Sequence, residues 1–136
     1  MELVDDHYCF ACGTDNPISL KLTFTKEDDR LSGTFTASRE HQGYRGVVHG
    51  GIISTLIDEA MARLLIMKGH SVVTVKMEVR YRKPVPVGEE LIITAQEEGE
   101  PGGKFLRTSA LIMSQDGMIL SRGEGTFAVI KKEVSS

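Results

Sequence analysis

Apolar residues occupy every second position in two short runs, residues 20–24 and 31–37. This period of two is typical of β-strands with one buried face. The polar segment KEDDR, residues 26–30, lies between the runs and has the composition of a turn. The pattern therefore predicts a β-hairpin, preceded by an irregular N-terminal segment over residues 1–18, which is rich in turn-forming residues.

The period changes after a glycine-containing loop at residues 38–48. Apolar residues then recur at steps of three and four: Ile52, Ile53, Leu56, Ile57, Ala60, Met61, Leu64 and Leu65. This wide stripe predicts a central helix of about 17 residues. Gly69 suits the left-handed position that commonly follows a helix, so we place the end of the helix there.

A period of two returns at residues 73–81, where Val73 and Val75 fall on one face and Thr74 on the other. The strand should stop at KPVPVG, because proline cannot donate to a β-ladder. Three more β-rich segments follow, with EGEPGG and SQDG as the turns between them. They cover residues 89–98, 103–114 and 118–130.

The predicted order is two strands, a long helix and four strands joined by short turns. This order indicates a single α+β domain over residues 1–136, with one antiparallel sheet wrapped around one helix. The sheet edges and one helix face would need cover. We therefore expect a homodimer or a dimer of dimers.

Composition and charge limit the functional classes. The chain is 40% hydrophobic and 26% charged, which is typical of a globular domain. Its net charge of -3 gives no support for nucleic-acid binding. We see no signal peptide, and no apolar run approaches the ~20 residues of a membrane span. We therefore expect a cytoplasmic protein without a membrane or nucleic-acid partner.

Cys9 and Cys12 form a CxxC motif in HYCFACG. The motif has three interpretations: half of a zinc site, a redox pair, or a structural N-terminal segment. Tetrahedral zinc would need two more ligands; no second CxxC is present, and nothing fixes His7 or His41 nearby. No strand precedes the motif, as it would in a thioredoxin-type site. We favour the structural segment and expect no metal.

His49, Gly50 and Gly51 come directly before the apolar stripe. The first amides of a helix have no internal partners, and the helix dipole adds partial positive charge there. Glycine leaves these amides open to close approach. The triplet thus fits a site for a carbonyl or an oxyanion, although an ordinary loop-to-helix junction has the same composition.

Two adjacent carboxylates, Asp58 and Glu59, lie in the middle of the predicted helix. Arg63 is four residues after Glu59, so these two should form an ion pair on an exposed face. The helical neighbours of Asp58 are Ser54 and Ala62, which offer no charge. Asp58 is therefore either a solvated side chain or a carboxylate kept free for a ligand or water.

Gly50 and Asp58 are separated by roughly 12 Å along the axis, at ~1.5 Å per residue. Within one chain they could not act on the same carbonyl. A shared site would require two antiparallel helices that face each other across a dimer.

Several motifs together carry a resemblance to a known family. They are HGGIISTLIDEAM and RYRKPVPVGEEL, supported by CFACGTDNPISL and HQGYRGVVHGG, and the match covers about residues 18–130. With these motifs the chain resembles the hotdog-fold acyl-CoA thioesterases. Within that family it resembles the phenylacetyl-CoA thioesterase-like group of the 4-hydroxybenzoyl-CoA thioesterase superfamily. The resemblance implies the hotdog fold and hydrolysis of an acyl- or aryl-CoA thioester.

The resemblance also implies roles by position. The Gly50 amide would polarise the thioester carbonyl, and Asp58 of the opposite subunit would be the general base or the nucleophile. Thr74 would help to orient water. His49 and Gly51 would shape the substrate-binding helix start, and the neighbouring carboxylate Glu59 is a second candidate for the active group. No metal or redox cofactor is implied, since coenzyme A is part of the substrate.

One position departs from the family pattern. Many relatives have an asparagine six residues before the histidine, where this chain has Gly43. The adjacent Gln42 either supplies the amide instead, or the site uses none. Side chains proposed for the acyl pocket are Phe35, Tyr44, Leu56 and Met61, and those proposed for the CoA phosphates are Arg80, Arg82, Lys83 and Lys104.

Two alternatives on the same fold stay open. A non-catalytic acyl-CoA binding protein would keep Gly50 but would have no need of Asp58. A hotdog dehydratase or hydratase would use a histidine with an acidic partner, in motifs that this sequence does not show.

Overall fold

The computed structural model describes residues 3–100 and 103–130. One long helix and six strands follow in the order β1 (Phe24–Glu27), β2 (Arg30–Thr36), α1 (Gly50–Met67), β3 (Val72–Tyr81), β4 (Glu90–Glu98), β5 (Phe105–Met113) and β6 (Ile119–Val129). A short 3-10 turn, Arg39–His41, lies in the loop before α1. This order confirms the predicted α+β architecture. Two residues of the predicted EGEPGG turn, 101 and 102, lie outside the described residues, as do residues 131–136.

Helix α1 is the centre of the core. The predicted apolar stripe is confirmed, because its residues from Ile53 to Leu65 are at most 1% exposed. Full burial of each such aliphatic side chain stabilises the fold by roughly 1.5–3 kcal/mol. The helix ends where Gly69 takes a φ of 98°, and the amide of His70 bonds back to the Leu65 carbonyl.

The strands form one antiparallel sheet in the order β1-β2-β4-β5-β6-β3. The sequence predicts that the four strands after the helix follow each other through short turns. This prediction is wrong for the connection from β3 to β4, because β3 pairs with β6 and not with β4. Two prolines in KPVPVG prevent a tight hairpin after β3. The connection is anchored instead by Val85, which is buried and accepts a hydrogen bond from the Val48 amide.

The first strand is shorter than its alternation indicated. Leu20 and Leu22 are buried as predicted, but their amides bond to the carbonyls of Phe10 and Ala11. Lys21, between them, has a φ of 56°, which is incompatible with a regular strand. The alternation of apolar residues at 20–22 therefore reflects packing against the N-terminal segment and not a β-strand. The hairpin begins at Phe24.

A β-bulge at Val75 changes which side chains of β3 face the helix. The pairing with β6 shifts between Thr74 and Lys76. Val72 consequently packs against the core, whereas Val75 is 56% exposed. Strict alternation placed Val75 inward and Thr74 outward. In the structure Val75 points outward, whereas Thr74, although exposed, directs its hydroxyl to Asp58 on the helix. Bulges commonly re-aim one side chain in this way.

Two further features bear on function. Among the described residues, β1 and β3 are the edge strands of the sheet, and each pairs on one side only. No helix in this part of the chain is long and apolar enough to cross a membrane.

Candidate active site

His49 caps the start of helix α1. Its backbone is extended, with a φ of -59° and a ψ of 136°, and its Nδ1 accepts a hydrogen bond of 2.8 Å from the Gly51 amide. Nδ1 is therefore the unprotonated ring nitrogen. The His49 carbonyl accepts from the amides of Ile52 and Ile53. These bonds satisfy most of the free donors that a helix start presents.

The two glycines after His49 consequently differ. The Gly51 amide is already donated to His49, so the expectation that both glycines offer amides to a ligand is wrong for Gly51. Within the described chain, no group accepts a hydrogen bond from the Gly50 amide. Gly50 thus presents an available donor at the positive end of the helix dipole.

Tyr81, at the end of β3, fixes the geometry around Gly50. Its hydroxyl donates a 3.1 Å hydrogen bond to the Gly50 carbonyl. Its ring lies against the glycine, 3.6 Å from the position that a Cβ would take. Sequence reasoning missed this residue, because the pair is 31 positions apart and nothing in the local pattern joins them.

Asp58 and Thr74 are brought together on the helix side of β3. The Thr74 hydroxyl donates a 2.8 Å hydrogen bond to Asp58 Oδ1. The bulge at Val75 is what turns Thr74 towards the helix. Asp58 is half-buried, and the hydroxyl restricts its carboxylate to one orientation. An oriented, accessible carboxylate is suited to act as a general base or as a nucleophile.

Glu59 points to a different part of the molecule. It forms the predicted ion pair with Arg63, at 3.4 Å. The predicted exposed face is wrong, however, because the N-terminal segment covers the pair and Arg63 also donates to Cys12 Sγ at 3.0 Å. Burial, with the hydrogen bond and charge of Glu59, raises the pKa of the Cys12 thiol to about 12. These contacts separate Glu59 from Asp58 and explain why the helix carries two carboxylates.

Gln42 and Gly43 shape the loop before the helix. Gln42 Oε1 accepts a hydrogen bond from the Gly46 amide, and the Gln42 backbone forms an isolated bridge with Val48. The side-chain oxygen is therefore engaged within its own loop. A Cβ on Gly43 would lie 3.5 Å from the His49 ring, so the loop packs directly against the helix cap.

A cavity of about 640 Å³ opens beside the helix start. Gly50, Tyr81, Arg82 and Lys83 line it, together with Tyr44, which is 87% exposed. Of the side chains predicted for the acyl pocket, Tyr44 alone lines this cavity. Phe35, Leu56 and Met61 are buried in the core of the chain, because they lie on the inward faces of the sheet and of α1.

Only two of the four basic residues proposed to bind the CoA phosphates lie near this cavity. Arg82 and Lys83 lie at the cavity. Arg80 is instead exposed and 3.8 Å from Glu78 in an ion pair. Lys104 lies far from the cavity. Its carbonyl accepts a hydrogen bond from the Val129 amide, which is at the opposite end of β6 from the residue that pairs with Tyr81.

The described chain contains two separate groups that are candidates for an active site. One is the open Gly50 amide beside the cavity, and the other is the Asp58 carboxylate held by Thr74. Their separation along α1 is roughly 12 Å at ~1.5 Å per residue, too far for both groups to act on one carbonyl.

Comparisons with known proteins bear on this arrangement. A family model described as the thioesterase superfamily matches residues 45–119, more than half of the chain. Acyl-coenzyme A thioesterase 13 of Mus musculus is 29% identical over 84% of this chain and 83% of its own length. Acyl-coenzyme A thioesterase THEM4 of Bos taurus is 25% identical over 93% of this chain, which spans only 53% of that relative. A crystal structure of a thioesterase superfamily protein matches with a TM-score of 0.83 and 26% identity, covering 90% of this chain and 63% of that one.

Proposed function

We propose, from the premise that the chain belongs to the thioesterase superfamily, that it hydrolyses acyl- or aryl-CoA thioesters to a free acid and CoA. The observation that carries the proposal is the Asp58 carboxylate, oriented by Thr74 at 2.8 Å, on the same helix that begins with an open Gly50 amide. Two relatives named as acyl-coenzyme A thioesterases support it. Assignment to the phenylacetyl-CoA branch stays a prediction.

The Gly50 amide polarises the thioester carbonyl. It receives the negative charge that develops on the carbonyl oxygen when the carbon is attacked, and the helix dipole adds to this stabilisation. The Tyr81 hydroxyl holds the backbone carbonyl of Gly50 in place, which limits movement of the helix start. His49 has a supporting role, because its ring accepts the hydrogen bond of the Gly51 amide.

Asp58 activates the attacking group. As a general base it removes a proton from water, and as a nucleophile it forms an anhydride that water then hydrolyses. In both routes the CoA thiolate leaves readily, since a thiolate is a far better leaving group than an alkoxide. Neither route requires a metal or a redox cofactor.

The site is shared between two subunits. β3 has an open edge in the described chain and carries Thr74 on it, so pairing of two such edges would bring two copies of α1 side by side. An antiparallel pair of helices places Gly50 of one protomer opposite Asp58 of the partner subunit. The assembly is a homodimer or a dimer of dimers.

Arg82 and Lys83 provide charge for the CoA moiety. Both line the cavity that contains Gly50, so they are near any ligand whose carbonyl contacts that amide. Arginine and lysine are the usual partners of phosphate oxygens. The mostly apolar cavity wall accepts the uncharged part of the ligand.

The test is hydrolysis of a panel of short-chain, medium-chain, long-chain and aryl acyl-CoAs, measured by the appearance of the free CoA thiol. We expect Asp58→Asn, which keeps the shape of the side chain, to lower kcat by about 10²–10⁴-fold. Asp28→Asn is the matched control, because Asp28 lies in the exposed turn between β1 and β2 and has a φ of 53° that asparagine tolerates.

Equal rates in wild type and Asp58→Asn would contradict the catalytic role. Tight acyl-CoA binding without turnover by the wild type would favour a non-catalytic binding protein. Hydration of crotonyl-CoA by the wild type would favour a hydratase.

A further inference from the structure

The N-terminal CxxC motif folds into a tight turn that the proposed reaction does not use. Cys9 Sγ accepts a hydrogen bond of 3.3 Å from the Ala11 amide, and the Gly13 amide donates to the Cys9 carbonyl at 2.8 Å. A Cβ at Gly13 would lie 2.4 Å from the Cys9 nitrogen, so only glycine can follow Cys12 in this turn.

The turn is held against helix α1. The carbonyls of Phe10 and Ala11 accept hydrogen bonds from the segment that leads into β1, and Ala11 is buried. Arg63 on the helix donates to Cys12 Sγ at 3.0 Å. The turn therefore has a fixed place over the part of α1 that carries Glu59.

Three potential metal ligands meet at this contact. One ligand atom each from Cys9, Cys12 and Glu59 lies within 4.8 Å of the other two. In a tetrahedral zinc site, with Zn–S near 2.3 Å, neighbouring ligand atoms are about 3.8 Å apart. Small side-chain rotations bring the ligand atoms from within 4.8 Å to this separation, because Cys9 and Cys12 are on the same short turn.

We propose that Cys9, Cys12 and Glu59 form a zinc site that fastens the N-terminal segment to helix α1. Two thiolates and one carboxylate suit zinc in softness and in number, with the fourth position left to water. Glu59 follows Asp58 in sequence but points away from it, towards Arg63 and Cys12, so the site does not depend on the proposed reaction.

Arg63 fits this site as an outer partner. A zinc ion held by two thiolates and a carboxylate carries an excess negative charge, which the guanidinium of Arg63 balances. In the structure Arg63 bonds both Cys12 Sγ and Glu59 Oε1, at 3.0 Å and 3.4 Å. Zinc would take over the Glu59 oxygen and leave Arg63 on the Cys12 sulfur, where it would orient the ligand.

The test uses the full chain, kept reduced and treated with a chelator before titration. Zinc is titrated in competition with a chromophoric chelator, and cobalt(II) is added separately to record thiolate-to-cobalt charge-transfer absorption. We expect one zinc ion per chain and a clear thiolate–cobalt band. Cys9→Ser, at an exposed position, should lose the band, and Glu59→Gln should bind zinc at least tenfold more weakly.

Asp15→Asn is the control, because Asp15 is an exposed acidic residue close to the motif in sequence and outside the ligand set. It should bind both metals like the wild type. Circular dichroism verifies that each variant is folded. Absence of stoichiometric zinc and of the cobalt band in the folded, reduced wild type would overturn the proposal, and so would equal zinc affinity in Glu59→Gln and wild type. Neither result bears on acyl-CoA hydrolysis.

Discussion

Replacing His49 tests whether its ring is the cap that organises the helix start. His49→Ala removes the acceptor of the Gly51 amide, which donates to Nδ1 at 2.8 Å. His49→Asn keeps an acceptor of similar reach, and asparagine is among the best capping residues. The two variants therefore separate loss of the cap from loss of the imidazole itself.

The expected magnitude follows from the single bond that is lost. Removing a helix cap costs about 1 kcal/mol, within a range of roughly 0.5–2 kcal/mol. With a urea m-value of about 2 kcal/mol/M, the unfolding midpoint of His49→Ala should fall by about 0.5 M at an unchanged slope. His49→Asn should unfold close to the wild-type midpoint.

Urea unfolding followed by circular dichroism at one fixed protein concentration measures both variants, since an assembling protein unfolds in a concentration-dependent way. In addition, kcat/KM for acyl-CoA should fall in His49→Ala and recover in His49→Asn, because the same bond positions the helix start. A wild-type midpoint in His49→Ala would refute the capping role. Equal destabilisation by alanine and asparagine would show that the ring contacts, and not the hydrogen bond, matter.

Three further predictions follow from named contacts. Thr74→Val removes the hydroxyl that orients Asp58, the proposed catalytic carboxylate, so kcat should fall about tenfold with KM nearly unchanged, while Thr74→Ser keeps most activity in the same steady-state assay. Gly123→Ala would place a Cβ 2.3 Å from Ile57 Cγ2, and overpacking should lower the free energy of unfolding by about 1–3 kcal/mol in urea titrations. Hydrogen bonds, chiefly from Ser109, lower the pKa of Glu98, so this carboxylate stabilises the fold at neutral pH and loses that contribution as pH falls through its folded pKa. Ser109→Ala should therefore be destabilised at pH 7 but similar to wild type in acid, and a constant difference across pH would contradict this.

The elements that depend on local periodicity could be predicted from the sequence. The apolar stripe of α1, its end at Gly69 and the Glu59–Arg63 pair all follow from helix geometry, and the structure confirms them. Each involves residues at most four positions apart or one repeated pattern. Local rules are sufficient for such features.

The features that decide the site depend on contacts between distant residues. The bulge at Val75 adds one residue to a strand without altering its composition, so alternation assigned Thr74 to the wrong face. The bond from Tyr81 to Gly50 and the contact of Arg63 with Cys12 span 31 and 51 positions. No periodic pattern encodes contacts at such separations. The pairing of β3 with β6 was missed for the same reason.

The central claim is that Gly50 and Asp58 act together across two subunits. Gly50→Pro deletes the amide donor and suits the first position of a helix, after a His49 backbone whose ψ of 136° precedes proline readily. We expect Gly50→Pro and Asp58→Asn homodimers to be nearly inactive on acyl-CoA. Differently tagged chains of the two variants, co-expressed and purified as a heterodimer, form one site with both groups intact and one with neither.

Acyl-CoA hydrolysis by this purified heterodimer is the most direct measurement. A shared site predicts recovery of about half the wild-type kcat, because one of the two symmetry-related sites is complete. A heterodimer as inactive as the two parent variants would contradict the claim that the amide and the carboxylate come from different subunits.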